Sequence, residues 1–279
     1  MYSRMSKNFE CSAVLSGCEI EFTNYCGLDC RGCIRKDSSD FFLDFETLQN
    51  ICLYVATKKF TEIVISGLDA FLHPKFYEFL EYIFERFPNI MVYVMTKQSI
   101  TDEDIEKFAI MKVQKNINLT FSLFSLEKKQ YKEVTGDLER LLIIKLAHNK
   151  KINFSFEFFL DTGNIAYISQ FQKFVSLFGK EFRYTIPHNW GKLSSKIYKN
   201  LFDEKQLESI ISVRKIEICE AFEGEYVFFD FAGRVYKCLG REKDLFLGNI
   251  NSGAFLREFS SLNYNSCKSC SYFSYKTKL

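Results

Sequence analysis

Three cysteines, Cys26, Cys30 and Cys33, stand at a C-x3-C-x2-C spacing in the stretch CGLDCRGC. Thiolates this close, on a loop of short and flexible residues, can each take one iron of a single 4Fe-4S cube, which leaves the fourth iron without a protein ligand. An open coordination position is what a chelating small molecule needs, as in catalytic zinc sites that keep one position free. A three-cysteine zinc site uses the same ligands, and spacing alone leaves both readings open. Four more cysteines, Cys219, Cys238, Cys267 and Cys270, follow as C-x13-G-x4-C, with Gly233 as the glycine, and a final C-x2-C. Four thiolates close a metal site, whether it holds zinc or a cluster. The remaining Cys11, Cys18 and Cys52 fit neither set, and their ordinary reading is as small buried hydrophobes.

These residues need elements to hold them. Short β-branched and aromatic runs alternate with amphipathic stretches, as in strand-helix units around a parallel sheet. Strands are expected at 18–24, 61–66, 90–95, 117–124, 151–160 and 181–186, and helices near 44–59, 74–87, 101–111, 126–148 and 165–178. Pro74 suits a first helical turn, and Thr101 with Asp104 resembles a capping arrangement. Cys26 then follows the first strand, at the end of a parallel sheet where α/β folds place their chemistry. Residues 187–203 are polar and irregular and read as a linker, which divides the chain into 1–203 and 204–279. Beyond it, 225–229 and 234–238 read as a hairpin around a turn at 231–233, where Gly233 tolerates positive φ. A short helix near 252–259 leads to Cys267.

The bulk properties exclude some functions. With 37 basic and 35 acidic residues the net charge is +2, so no single-sign field calls for nucleic acid or an anionic membrane. No apolar run is long enough to span a bilayer, and MYSRMSKNFECSAVLSGCEIEF has no signal-peptide core. A cytoplasmic protein is expected, and in that reducing compartment ten cysteines point to metal ligation rather than disulfides. At 47% hydrophobic the chain can bury a full core, filled largely by its 31 Phe.

The cysteine triplet after a first strand resembles the radical SAM superfamily, whose free iron binds the amino and carboxylate groups of S-adenosylmethionine (SAM). ISGLDAFLHP at 65–74 resembles the family's strand that ends in Gly-Gly-Glu-Pro, then two apolar residues and often His-Pro, and whose edge hydrogen-bonds the methionine amino group. Gly67 keeps the first glycine; Leu68, Asp69 and Ala70 stand for the second glycine, the glutamate and the proline. Gly32 stands where the family usually has a bulky residue over the adenine. FSLFS at 121–125 resembles the family's Ser-Leu-Asp-Gly, which makes Ser122 a ribose or carboxylate contact. Glu157 completes the set of cofactor-binding candidates: between Phe156 and Phe158 its carboxylate is either satisfied near the site mouth or faces outward at a strand end.

The later cysteines, with GRVYKCLG and LFLGNI, resemble the truncated SPASM extension called a twitch domain, which carries an auxiliary 4Fe-4S cluster. Four thiolates alone suit zinc equally; the pairing with the first cluster favours iron-sulfur. The resemblance implies an α/β fold, a partial (β/α)6 barrel with a small twitch/SPASM-like domain. It implies reductive cleavage of SAM to methionine and a 5′-deoxyadenosyl radical that abstracts hydrogen from substrate, fed by an electron donor such as flavodoxin or ferredoxin. A ribosomally made peptide is the first expected substrate, handled without a separate leader-binding domain ahead of the first strand. A dehydrogenase of a small sugar-like alcohol is the alternative, and Leu68, Asp69 and Ala70 keep open a non-catalytic iron-sulfur or zinc protein. Some family members use an extra cysteine as a hydrogen-atom donor, a second reading for Cys11, Cys18 and Cys52. Of the histidines, His73 is expected to serve a helix start, His188 could face substrate, and His148 has no assigned role.

Overall fold

The computed structural model describes residues 17–26, 41–97, 100–111, 116–123, 140–159, 168–180, 182–185, 226–237 and 245–253. Six strands, β1 (Gly17–Thr23), β2 (Glu62–Gly67), β3 (Met91–Thr96), β4 (Ile117–Leu123), β5 (Phe154–Phe159) and β6 (Phe182–Thr185), lie side by side in chain order, each parallel to the next. Helices α1 (Phe45–Ala56), α2 (Phe76–Arg86), α3 (Asp102–Ile110), α4 (Arg140–Asn149) and α5 (Ile168–Ser176) fall between them. This is the expected α/β order with a parallel sheet.

Local chemistry sets the starts of two helices. Asp44 caps α1, its Oδ1 accepting from Thr47 N–H at 2.7 Å. Thr101 and Asp104 form a reciprocal capping box on α3, as expected. Pro74 instead lies two residues ahead of α2, because Phe76 N–H turns back to His73 O at 3.0 Å. Only Arg140–Asn149 of the helix expected over 126–148 is described.

Alternation along the strands gives the sheet two unlike faces. Cys18, Ile20 and Phe22 of β1, Ile63 and Ile65 of β2, Val92 and Val94 of β3, Leu119 and Phe121 of β4, and Phe156 and Phe158 of β5 join the helices in one buried core. Aromatic edges tie it together, with Phe22 meeting Phe76 and Phe79 edge-on. The opposite face carries buried polar groups: Glu19, Glu21, Ser66, Thr120, Ser122 and Glu157.

The C-terminal hairpin joins the same sheet. β7 (Tyr226–Phe229) pairs parallel with β1, with Cys18 opposite Val227; β8 (Arg234–Tyr236) and β9 (Phe246–Asn249) then follow antiparallel. The hairpin was expected, whereas β9 and the pairing with β1 were not. The linker at 187–203 and the boundary at 203/204 lie outside the described residues, and of the short helix expected near 252–259 only a 3-10 turn at Ile250–Ser252 is described. Among the described residues no helix is long and apolar enough to cross a membrane.

Candidate active site

The polar face and the carboxyl-terminal ends of the parallel strands hold the expected site residues that can be placed. Cys26, partly exposed, comes three residues after β1. Cys30, Cys33, Cys219, Cys238, Cys267 and Cys270 lie outside the described residues, as do Cys11 and His188.

The segment leading into Cys26 is braced by the turn after β2. The β1–β2 register slips between Glu21 and Thr23, so that Thr23 lies opposite Gly67. Leu68 N–H then donates to Thr23 O, and Asp69 N–H to Tyr25 O, both at 3.1 Å. Gly67 sits at φ +119°, and a Cβ there would overlap the Thr23 carbonyl oxygen. Only glycine lets the two backbones approach so closely. Asp69 is 1% exposed, which places a carboxylate within the turn that touches the residue before Cys26. Leu68 is buried too.

Farther along the sheet, Ser122 of β4 and Glu157 of β5 are register partners. Ser122 Oγ donates to Glu157 Oε2 at 3.3 Å, and Glu157 is 4% exposed. Of its two expected placements, the outward-facing one is not found: the carboxylate is buried and bonded to Ser122. Below this pair, Ser155 Oγ bonds Thr120 Oγ1 at 3.2 Å and donates to Asn118 Oδ1 at 2.8 Å. On the same polar face, where β1 meets β7, Tyr226 donates its hydroxyl to Glu19 Oε2 at 2.8 Å. Tyr226 and Glu19 were not singled out in the sequence; polar residues alternating through CEIEFTN were the available signal for Glu19, and nothing local marked Tyr226.

The leftover residues resolve differently. Cys18 and Cys52 both belong to the helix-facing core, on the face of the sheet opposite the polar groups. Burial raises both thiols, Cys52 to about 12, and both pack as small hydrophobes in that core. His148 packs edge-on against Phe154 and Phe178. His73 serves the start of α2 as expected, its Nδ1 accepting from Lys75 N–H at 3.1 Å.

Residues 20–175 match the family model described as the Radical SAM superfamily. No curated protein sequence matches the chain. Among solved structures, Streptococcus suis SuiB is similar with TM-score 0.60 at 15% identity, over 91% of this chain and 70% of SuiB. SuiB is also known bound to precursor peptide SuiA. Histidine-tagged anSMEcpe with bound AdoMet gives TM-score 0.64 at 16% identity, over 90% of this chain and 81% of the other. BtrN in complex with AdoMet and 2-DOIA gives 0.51 at 13%, over 86% and 79%. At these identities the likeness is one of fold.

Proposed function

The chain belongs to the radical SAM superfamily, and from that premise we propose that Cys26, Cys30 and Cys33 hold a 4Fe-4S cluster whose open iron takes SAM. Cys219, Cys238, Cys267 and Cys270 hold an auxiliary 4Fe-4S cluster in a twitch-like region over 204–279, beside a partial (β/α)6 barrel over 1–203. The observation that carries the reading is the turn Gly67–Asp69, closed on the residues just ahead of Cys26 by a contact only glycine permits.

The residues present suit these groups. Three cysteines at C-x3-C-x2-C spacing supply soft anionic thiolates and leave one coordination position vacant. Asp69, buried and bonded through its N–H to Tyr25 O just ahead of Cys26, accepts from the methionyl ammonium, while the Gly67 backbone gives it close approach. Ser122, held by Glu157, offers a hydroxyl toward the ribose or carboxylate. When bound, the cluster supplies the electron that cleaves SAM to methionine and the 5′-deoxyadenosyl radical that removes hydrogen from substrate. The protein orients these partners and excludes water from the polar face of the sheet.

The substrate is a peptide, a reading supported by the fold shared with SuiB, which binds a precursor peptide. The likeness to BtrN with 2-DOIA supports the alternative of a small polar molecule. The setting is cytosolic, with a flavodoxin or ferredoxin as electron donor. Anaerobic reconstitution, reduction with SAM and chromatography are expected to yield 5′-deoxyadenosine. Intact clusters with no product would favour a binding protein instead, the reading that Leu68, Asp69 and Ala70 motivate. A Cys26, Cys30, Cys33 triple alanine variant is expected to retain about four irons; zinc in place of that iron would reject the auxiliary cluster.

A further inference from the structure

The segments on either side of residues 27–40 form a neck. Thr23 and Phe42 make an antiparallel bridge. Asn24 N–H donates to Phe41 O at 3.2 Å, Phe41 N–H to Asn24 Oδ1 at 2.8 Å, and Thr23 Oγ1 to Phe41 O at 2.9 Å. The next residue on the exit side, Leu43, is gripped from two directions. Its N–H donates to Phe22 O at 2.8 Å, and its carbonyl lies 2.8 Å from His73 Nε2.

His73 reaches Leu43 from the turn after β2. Because Nδ1 accepts from Lys75 N–H, the proton of the neutral ring sits on Nε2, which donates to Leu43 O. The ring is 4% exposed and packed among Phe22, Phe42 and Phe79. Its position is therefore fixed by packing as well as by two hydrogen bonds. The same turn that braces the entry to the cysteine segment through Gly67–Asp69 thus braces its exit through His73.

We propose that His73 is a positioning residue, a strut that fixes the exit of the cysteine segment at Leu43 and thereby sets how firmly that segment retains its cluster. The claim rests on the reading of Cys26, Cys30 and Cys33 as ligands. The physical reason is entropic. A loop whose two ends are already held together has less freedom to lose when its thiolates converge on iron, so a loose neck weakens retention without altering any ligand.

The test separates the two bonds of the ring. In glutamine the amide nitrogen reaches the place of Nε2 and keeps the donor to Leu43. In asparagine the side chain reaches only the place of Nδ1 and keeps the acceptor for Lys75. Each variant loses one hydrogen bond, so a general loss of stability moves both alike, and apo melting temperatures measured in parallel check this. Iron release from the reconstituted full chain to a ferrous chelator is timed, the first cluster being identified as the iron missing from the triple cysteine variant. His73→Ala and His73→Asn are expected to release that iron about fivefold faster than the parent, and His73→Gln within about twofold. Asparagine like the parent with glutamine like alanine would assign His73 to the local turn and overturn the proposal. Parent rates in all three variants would overturn it as well. If the triple cysteine variant keeps all the iron of the parent, the ligand reading itself fails, an outcome distinct from either.

Discussion

Two turns flank the expected cluster ligands, and they are built on opposite principles. The turn after β2 lies against the residues ahead of Cys26, and the hairpin turn at 230–233 leads through β8 toward Cys238. Each contains a glycine at positive φ, Gly67 at +119° and Gly233 at +75°. Around Gly67 the near neighbours are backbone atoms of Thr23, which cannot move without moving β1. Around Gly233 they are side chains, Asn251 Nδ2 at 2.8 Å and Ile250 Cγ2 at 3.0 Å from a built Cβ. The hairpin turn is organised by a side chain as well: buried Asp230 accepts from Ala232 N–H at 3.0 Å and Arg234 N–H at 2.9 Å through Oδ1, and from Arg234 Nε at 2.6 Å through Oδ2. A turn closed by backbone contact has one residue it can use, whereas one organised by side chains spreads its stability over several.

The largest effect should follow from Gly67→Ala. Positive-φ strain and overlap with a fixed carbonyl together cost about 3 to 5 kcal/mol, to be read from urea melts of the apo protein. Iron loading of the first cluster should fall with it. Asp230→Ala comes next at about 2 to 3 kcal/mol, since it strips two backbone donors and one guanidinium of their acceptor. Asp230→Asn keeps an oxygen for the two backbone bonds and should recover most of that loss, because the Arg234 side chain is 45% exposed and its ion pair is screened. Gly233→Ala should cost only about 1 to 2 kcal/mol, the left-handed penalty with side chains that can give way. Equal destabilisation by the two glycine substitutions would break the comparison.

The contrast also explains what could be read in advance. Gly67 was legible through the resemblance of ISGLDAFLHP to the family's strand ending, whereas β2 and β3 were placed within a residue by local pattern alone, as the β-branched and aromatic runs TEIVIS and IMVYVM. β5 was expected from 151 but starts at Phe154. Lys151 takes φ 58° and Ile152 N–H returns to Ala147 O at 3.0 Å, so those residues close α4 instead. β9 escaped notice because a four-residue strand holding Gly248 carries little alternation. The pairing of β7 with β1 joins residues about two hundred positions apart, and no local pattern encodes a non-local partner. In the site, Ser122 was named by resemblance, but its bond to Glu157 depends on the β4–β5 register. Asp230 was missed although Asp-x-x-Gly before a strand is a turn signal.

The smallest effect concerns pH and separates the two turns by charge. Burial holds the His73 imidazole below its usual pKa, with Lys75 acting in the same direction, while the Leu43 carbonyl and Glu78 oppose it. In the unfolded chain the ring titrates at about 6.5. Between the lowered folded value and that point the unfolded state binds more protons, so stability rises with pH. The contribution is fully present above about 6.5 and is lost as pH falls through that value toward the folded pKa. Protonated Nδ1 no longer accepts from Lys75 N–H, so acid loosens the turn after β2, whereas the described residues 226–237 contain no histidine. Urea melts at pH 7.5 and 5.5 should show a steeper loss of stability in the parent than in His73→Gln, where no ring remains to titrate. Matching slopes in the two proteins would mean that the imidazole stays outside the proton balance of folding, and that mild acid does not distinguish one turn from the other.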